Sequence, residues 1–384
     1  MAERADVVII GGGISGCAAA YELARTGARV ILLERGAIAS MASGWTLAGV
    51  RVSGRHPAEI PLALAAIERW ATLAEELGGE TDYVRSGNLR LARDADELAT
   101  VRAIVAEQRD LGVDVAMLEG NAAVRTLAPA LTEEILGAAY CATDGHANPG
   151  KTVGAYAAAA ARAGAEIRTC TTVTNVVQVG GTIQGVETDA GSIAADVVVN
   201  TAGVYADRIC AMIGLDLPLT TYHVTAIGSV PMPRLLDQVL GVGNADFAGR
   251  QERSGAMRIT DGGAPWSWPA RPLEPGDVQP PAAMVATVLQ RAWQLIPALR
   301  AMRVARVWGG LLDVTPDEIP VIARTEVQGF IVAAGFSGHG FCLGPATGCL
   351  IRDLATTGEP SLPIGAFQLN RFVTDGPGRA ALHG

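Results

Sequence analysis

None of the six cysteines of this 384-residue chain pairs with another in a C-x-x-C motif: Cys17, Cys141, Cys170, Cys210, Cys342 and Cys349 are scattered, most of them among apolar or small residues. That pattern gives no support to a zinc site, an iron–sulfur cluster or a redox-active disulfide, and it predicts mostly inert core thiols. The five histidines (His56, His146, His223, His339, His383) are equally dispersed, with no pair at metal-ligand spacing. Lysine and arginine form no run and the formal net charge is -9, so a nucleic-acid partner has no electrostatic footprint. No apolar stretch approaches the ~20 residues of a membrane span, which argues against membrane insertion. The chain runs directly into its first strand without a charged-then-apolar leader, and a cytoplasmic protein is expected. What is present, 49% hydrophobic against 18% charged residues, is the composition of a globular protein. The length exceeds one comfortable core, so two intertwined domains are expected.

The most informative stretch is ADVVIIGGGISGCAAAYELARTGARVILLER, residues 5–35. Val7 to Ile10 is an apolar run too short for a helix and suited to a parallel strand buried on both faces. Gly11, Gly13 and Gly16 occupy G-x-G-x-x-G positions: the first for a tight turn, the second for close approach of backbone to a pyrophosphate, the third for helix–strand packing. Ile14 and Ser15 then open a helix whose free N–H groups and macrodipole suit a phosphate. Val30 to Leu33 form a second strand, and Glu34 follows Gly16 by 18 residues, near the ~20 expected of an acid that binds a ribose hydroxyl. Strand, glycine turn, helix, strand and acid in this order predict a dinucleotide-binding βαβ unit. The fingerprint does not separate nicotinamide from flavin dinucleotides. The next segment, residues 36–51, is a long loop of small residues (Ser40, Ser43, Gly44, Thr46, Gly49) ending at Arg51, and such a loop suits backbone packed on a flat ring system.

Further on, helical spacing marks 58–78, 95–111 and 121–127, and Tyr83–Ala92 alternates like a strand with a turn at Gly87. Asp144–Pro149 is a turn-rich boundary before an alanine-rich helix over 151–164. Val173–Val179, Thr182–Thr188 and Ser192–Ala194 read as short antiparallel strands with Gly180-Gly181 as a hairpin turn. Asp196–Gly203 reads as another buried parallel strand entering a glycine turn, so the nucleotide-binding domain is interrupted and resumed. Pro218–Val230 is extended, Met257–Thr260 a strand, 282–296 a helix, and Gly262–Pro281 a Pro- and Gly-rich surface loop. Gly329–Ala334 is an apolar strand, followed by GFSGHGFCLG and a helix over Ala346–Leu354.

Four segments in order, VIIGGGISGCAAAYELA, VVVNTAGVYAD (197–207), WGGLLDVTPDEIPVI (308–322) and AAGFSGHGF (333–341), resemble the FAD-dependent amine and D-amino-acid oxidase (DAO) superfamily, in particular its sarcosine oxidase β, glycine oxidase, hydroxyproline dehydrogenase and opine oxidase group. The resemblance spans nearly the whole chain. It implies an α/β plus α+β fold in which a Rossmann-type FAD-binding domain (1–80, 144–217 and 317–372) is interleaved with an antiparallel-sheet substrate domain (81–143 and 218–316), with 373–384 as a tail. By position, Gly11, Gly13, Ile14, Ser15 and Gly16 would hold the FAD pyrophosphate. Glu34 and Arg35 would hold the adenosine ribose, and Val173 would meet the adenine. Ser43, Gly44, Thr46 and Leu47 would line the flavin approach and Ala202 and Gly203 the second strand turn. Gly335, Gly338, His339, Gly340 and Phe341 would bring backbone N–H groups to the pyrimidine side of the ring.

The departures concern the substrate. Monomeric sarcosine oxidases have a substrate-binding Lys after GFSGHGF, where this chain has Cys342. Glycine oxidases have an Arg where this chain has Leu312. Thr315 stands where a Cys attaches flavin covalently, so non-covalent FAD is expected. Other cations must then grip a substrate carboxylate: Arg51, Arg250, Arg253 and Arg258 are candidates, although each taken alone also reads as a solvated surface charge. Tyr222 and His223 are candidates for contacts to the reacting amine, and His223 reads equally as a satisfied structural histidine. Trp308 is expected to pack beneath the ring or in the core. The implied reaction is oxidation of the C–N bond of a small, secondary amino acid (sarcosine, hydroxyproline, opine or iminodiacetate class) by hydride transfer to flavin N5, with hydrolysis of the imine and no dedicated base. Oxygen or an electron-accepting partner subunit would take the electrons. Two alternatives stay open: an FAD-binding subunit acting mainly in electron relay, and a flavin-dependent hydroxylase.

Overall fold

The computed structural model describes residues 3–267, 273 and 275–372; the C-terminal tail 373–384 and part of the Gly262–Pro281 loop (268–272 and 274) lie outside the described residues. The predicted βαβ unit is present as β1 (Glu3–Ile10), α1 (Ile14–Ala24) and β2 (Val30–Leu33). β1 lies at the centre of an eight-stranded sheet and pairs in parallel with β2 on one side and with the strand Gly191–Asn200 on the other. Val8 and Ile9 of β1 are fully buried but belong to different cores, one on each face of the sheet, which is why the run is apolar without alternation.

Gly191–Asn200 corrects the expected division into a short antiparallel strand and a separate parallel one. It is a single ten-residue strand, antiparallel to Thr182–Thr188 at its start and parallel to β1 over nearly its whole length. Gly180 and Gly181 turn the preceding hairpin at φ 58° and 77°, the left-handed geometry that the tight two-residue turn demands. The strand Phe330–Ala334 adds in parallel to Gly191–Asn200, and Val321–Arg324 closes that edge antiparallel.

The last helix also differs from expectation. It spans Gly340–Ala355, starting six residues before Ala346 with Pro345 inside it. Gly344 and Gly348 explain how it can approach α1: a Cβ on Gly344 would lie 2.5 Å from Ile14, and one on Gly348 2.8 Å from Ala18. The glycines thus let two helices cross closely, and the N-terminal ends of both helices, at Ile14 and Gly340, line one cleft.

A second, nine-stranded sheet gathers segments far apart in sequence. Asn88–Ala92 pairs with Gly137–Cys141 and with Val239–Val242, and the long strands Thr220–Ser229 and Val304–Val314 pair over ten positions. Leu89, Leu91, Leu240, Val242, Phe247 and Ile259 pack its core with Val288, Ala292 and Leu295 of the helix Ala282–Leu295. Among the described residues no helix is long and apolar enough to cross a membrane.

Candidate active site

The glycine turn is built as its spacing required. Gly11 adopts φ 112°, and a Cβ there would lie 2.4 Å from the Thr201 carbonyl oxygen; one on Gly16 would lie 2.0 Å from the Gly11 carbonyl oxygen. Only glycine allows Gly11-Gly12-Gly13 to run this close to the next strand end and still present its backbone to the cleft. Glu34 is fixed at both oxygens: Oε2 accepts from the Gly12 N–H and Oε1 from the Gly36 N–H, each at 2.7 Å. Its remaining lone pairs are available to sugar hydroxyls.

These residues open onto a cavity of about 330 Å³ that runs from Glu34, Arg35 and Val173 past Gly11, Gly13, Ile14, Ser15, Ser43, Thr46, Ala202 and Gly203 to Gly338, Gly340 and Phe341. Fourteen of the residues chosen from the sequence for the cofactor therefore share one wall-to-wall cleft. Gly16 is not on its wall and serves helix packing instead. Gly44 serves a turn, where a Cβ would lie 2.0 Å from the Ala39 carbonyl oxygen. Gly335 and His339 do not supply backbone donors as expected. The Gly335 N–H is donated to Asp313 Oδ2 at 2.6 Å and the His339 N–H to the Phe336 carbonyl at 2.7 Å. The helix N-terminus at Gly340 and Phe341 remains the positive end facing the cleft. Sequence reasoning missed Tyr205, whose ring Arg35 covers at 3.9 Å, and Asp313, a buried acid whose carboxyl burial pushes up. Neither lies within a glycine fingerprint; the VVVNTAGVYAD segment was the available signal for Tyr205.

A second cavity, of about 270 Å³, adjoins the first, and Ala42, Thr46, Leu311, Leu312, Gly338 and Phe341 line both. The loop between them is held by its carbonyls. Trp308 Nε1 donates to Trp45 O (3.0 Å), Arg258 Nη1 to Thr46 O (2.6 Å), Arg250 Nε to Leu47 O (2.5 Å) and the Ala147 N–H to Ala48 O (3.1 Å). Leu47 thus lines the second cavity and not the first. Arg250 is a correction: it is 1% exposed, and its other donors go to His146 Nδ1 and Ala147 O, so it ties the loop and does not face a ligand. Arg253 sits exposed in the hairpin after Gln251.

His223 is also corrected. It is buried on the opposite side of its strand from cavity-lining Val224, its Nε2 hydrogen-bonded to Val278 O at 2.8 Å and its ring stacked on Trp266 at 4.9 Å. It reads as a satisfied structural histidine. Tyr222, paired with Leu312 across the strands, lines neither cavity.

The second cavity is instead walled by guanidiniums: Arg51, Arg55, Arg90 and Arg258, with one acid, Asp261, and with His339. Arg55 and Arg90 were missed. The signal for Arg90 was the alternation in Asn88-Leu-Arg-Leu-Ala92, which sends Leu89 and Leu91 to the core and Asn88 and Arg90 to the cavity. Arg51 donates Nη1 to Ser53 O (2.6 Å) and Gly54 O (3.1 Å). Among the described residues neither Arg51 nor Arg90 has a carboxylate within ion-pair reach. Burial pushes both guanidiniums down, Arg51 to about 9 with Arg55 and Arg90 adding repulsion. Behind the wall stands Glu59, fully buried, with His339 Nδ1 at 3.0 Å and Arg55 Nη1 at 3.7 Å. Burial alone would raise the Glu59 carboxyl, but His339, Arg55 and Arg51 outweigh it and hold it at about 2. Burial lowers His339, so at neutral pH a neutral ring donates Nδ1–H to an ionised Glu59. Cys342 is buried with Sγ 3.5 Å from Arg51 O.

The glycine turn, Glu34 and the two helix N-termini on one cleft fit a flavin dinucleotide. Residues 6–354 match the family model described as FAD dependent oxidoreductase (DAO). The chain is 29% identical to the glycine oxidase of Geobacillus kaustophilus over 97% of this chain and 98% of that one. It is 29% identical to sarcosine oxidase subunit beta of Rhizobium meliloti, covering 96% and 88%. The crystal structure of L-proline dehydrogenase from P. horikoshii superposes with a TM-score of 0.87 at 29% identity, covering 97% of this chain and 99% of that one. The match over residues 6–354, with the fold and the relatives, shows that the chain belongs to the FAD dependent oxidoreductase (DAO) family and is an FAD-dependent oxidoreductase.

Proposed function

We propose that the protein oxidises the C–N bond of a small amino acid, held by its carboxylate at Arg51 and Arg90. The observation that carries this reading is a cationic cavity adjoining the FAD-sized cleft, with two half-buried guanidiniums, Arg51 and Arg90, that have no carboxylate within ion-pair reach among the described residues. A substrate carboxylate would relieve the desolvation and mutual repulsion of the pair and fix the substrate's orientation by charge-assisted hydrogen bonds. Glycine oxidase, sarcosine oxidase subunit beta and L-proline dehydrogenase, as their names state, concern small amino acids, and this supports the same class here.

Bound FAD would supply the two-electron acceptor for the hydride leaving the carbon next to nitrogen. The substrate nitrogen must be uncharged for this, and the cationic wall favours the neutral amine over the ammonium. The nitrogen's proton goes to solvent, a C=N bond forms, and water hydrolyses the imine to an oxo acid or aldehyde and an amine. The positive ends of α1 and of the Gly340 helix favour negative charge in the cleft. FAD is held non-covalently: Thr315 lacks a thiol, and its hydroxyl donates to Ile319 O at 2.8 Å. The eight-stranded sheet serves the cofactor and the nine-stranded sheet the substrate.

The test is the visible spectrum of the purified protein without oxygen, before and after addition of sarcosine, L-proline, hydroxyproline, an opine or iminodiacetate. Bleaching by one of them is expected, and admission of air then separates an oxygen-using oxidase from an enzyme that needs an electron-accepting partner. A bound flavin that no amine bleaches would count against the reading.

A further inference from the structure

We infer that the substrate carries two carboxylates, the second of which is bound by Arg258; this rests on the amino-acid reading above and names its substrate class. The wall of the second cavity presents four guanidiniums against one carboxylate. That carboxylate, Asp261, has Oδ1 occupied by the N–H groups of Thr225 (2.9 Å) and Gly263 (3.1 Å). The acids that balance the arginines stand behind the wall: Glu59 on Arg55, Glu252 on Arg258 at 3.0 Å, and Asp144, which faces the Val52 N–H and Ser53.

The guanidiniums form two stations. Arg51 and Arg90 converge on Gly54: Arg51 donates to its carbonyl, and a Cβ on Gly54 would lie 2.4 Å from Arg90 Nη2. Arg258 forms the other. Its Nε is held by Glu252, its Nη1 by Thr46 O, and its guanidinium lies 5.2 Å from the Trp308 ring centroid. Three fixed neighbours orient the fork, while its Nη2 has no hydrogen-bond partner among the described residues. The side chain is 7% exposed. Thr46 lines both cavities, so Arg258 stands beside the cofactor cleft and not at a remote rim. A monocarboxylate can complete one station only and leaves the other guanidinium buried and incompletely paired, an arrangement that costs free energy. A dicarboxylate completes both.

The experiment titrates the FAD-loaded protein with malonate, succinate and glutarate, and with propionate and butyrate, and reads perturbation of the flavin spectrum. At least one dicarboxylate is expected to bind tenfold or more tightly than the monocarboxylates, about 1.4 kcal/mol. In Arg258→Met that ratio is expected to fall to roughly twofold or less. Should Arg258→Met fail to fold or to retain FAD, Arg258→Lys replaces it: a charge without the planar fork is expected to lower the ratio about threefold or more. Equal affinities in the unaltered protein, or a ratio that survives these substitutions, would overturn the inference. Bleaching by an amine without any dicarboxylate preference removes this inference alone; dicarboxylate preference with no amine that bleaches removes the reaction reading alone.

Discussion

Replacing Arg90 by Met separates the binding role of the cationic wall from any structural one. The Arg90 guanidinium makes a single long hydrogen bond, 3.5 Å to Val242 O, has no ion-pair partner among the described residues, and is pushed down by burial. A folded-state pKa below the unfolded value means that the charge opposes folding at every pH where the unfolded arginine is protonated. Arg90→Met, of similar length, removes that cost and strands only one carbonyl. With roughly 2.1 cal/mol/K of unfolding entropy per residue, a 384-residue chain moves its Tm by about 1 to 2 °C per kcal/mol. The variant should therefore melt unchanged or up to about 2 °C higher, with its flavin spectrum intact. Catalysis should move the other way. Hydrogen bonds to a charged group contribute about 1.5–3 kcal/mol, so kcat/KM should fall roughly 10- to 150-fold. Differential scanning fluorimetry and steady-state kinetics on one preparation measure both. A Tm lowered by several degrees, or an unchanged kcat/KM, would refute the argument that this guanidinium is kept for a ligand.

Gly11→Ala forces φ 112° on an L-residue and drives a Cβ to 2.4 Å from the Thr201 carbonyl oxygen; a cost of about 3 kcal/mol or more and purification without FAD are expected, and a yellow, normally melting variant would contradict it. Glu59, at about 2 in the fold against an ordinary 4.5, contributes stability that is full above pH 4.5 and lost as pH falls through about 2; Glu59→Gln should lower the Tm and flatten the acid limb of a pH–Tm curve between those values. Cys342→Lys places a charge in a site 1% exposed and next to Arg51 and Arg55, so a lower Tm and weaker substrate binding are expected. A stable Cys342→Lys enzyme with improved KM would contradict this.

The geometry of the glycine-turn cleft was legible because its constraints are local. Gly11, Gly16 and Glu34 meet through neighbouring elements of one βαβ unit, so a fixed spacing forces a fixed geometry. Where long-range packing intervened, spacing failed. Gly335 sits in a glycine-rich turn like the others, yet its N–H goes to Asp313, which lies 22 residues earlier in sequence on a strand of the other sheet. The sequence places the helix at Ala346–Leu354, but packing of Gly344 and Gly348 against α1 holds the preceding turn helical despite Pro345.

The substrate half was not legible because a charge acquires meaning there only through topology. Arg250 and Arg258 lie in one hairpin with similar burial, and no sequence rule distinguishes them. Directly opposed on paired strands, they still differ in what surrounds the guanidinium. Both share Glu252, at 3.7 Å from Arg250 and 3.0 Å from Arg258, but Arg250 also meets Leu47 O, Ala147 O and His146 and becomes a tie between loops, whereas Arg258 meets one carbonyl and an indole and retains a donor edge on the cavity. Arg90 comes from a segment more than 150 residues away and arrives beside Val242 only because Asn88–Ala92 inserts between Val239–Val242 and Gly137–Cys141. In the proposed reading, guanidiniums from other elements line the cavity that uncharged Leu312 also lines. A carboxylate anchor depends on where a positive charge ends up, not on which strand delivers it, so in this fold a departure at a familiar anchor position is no measure of lost carboxylate binding.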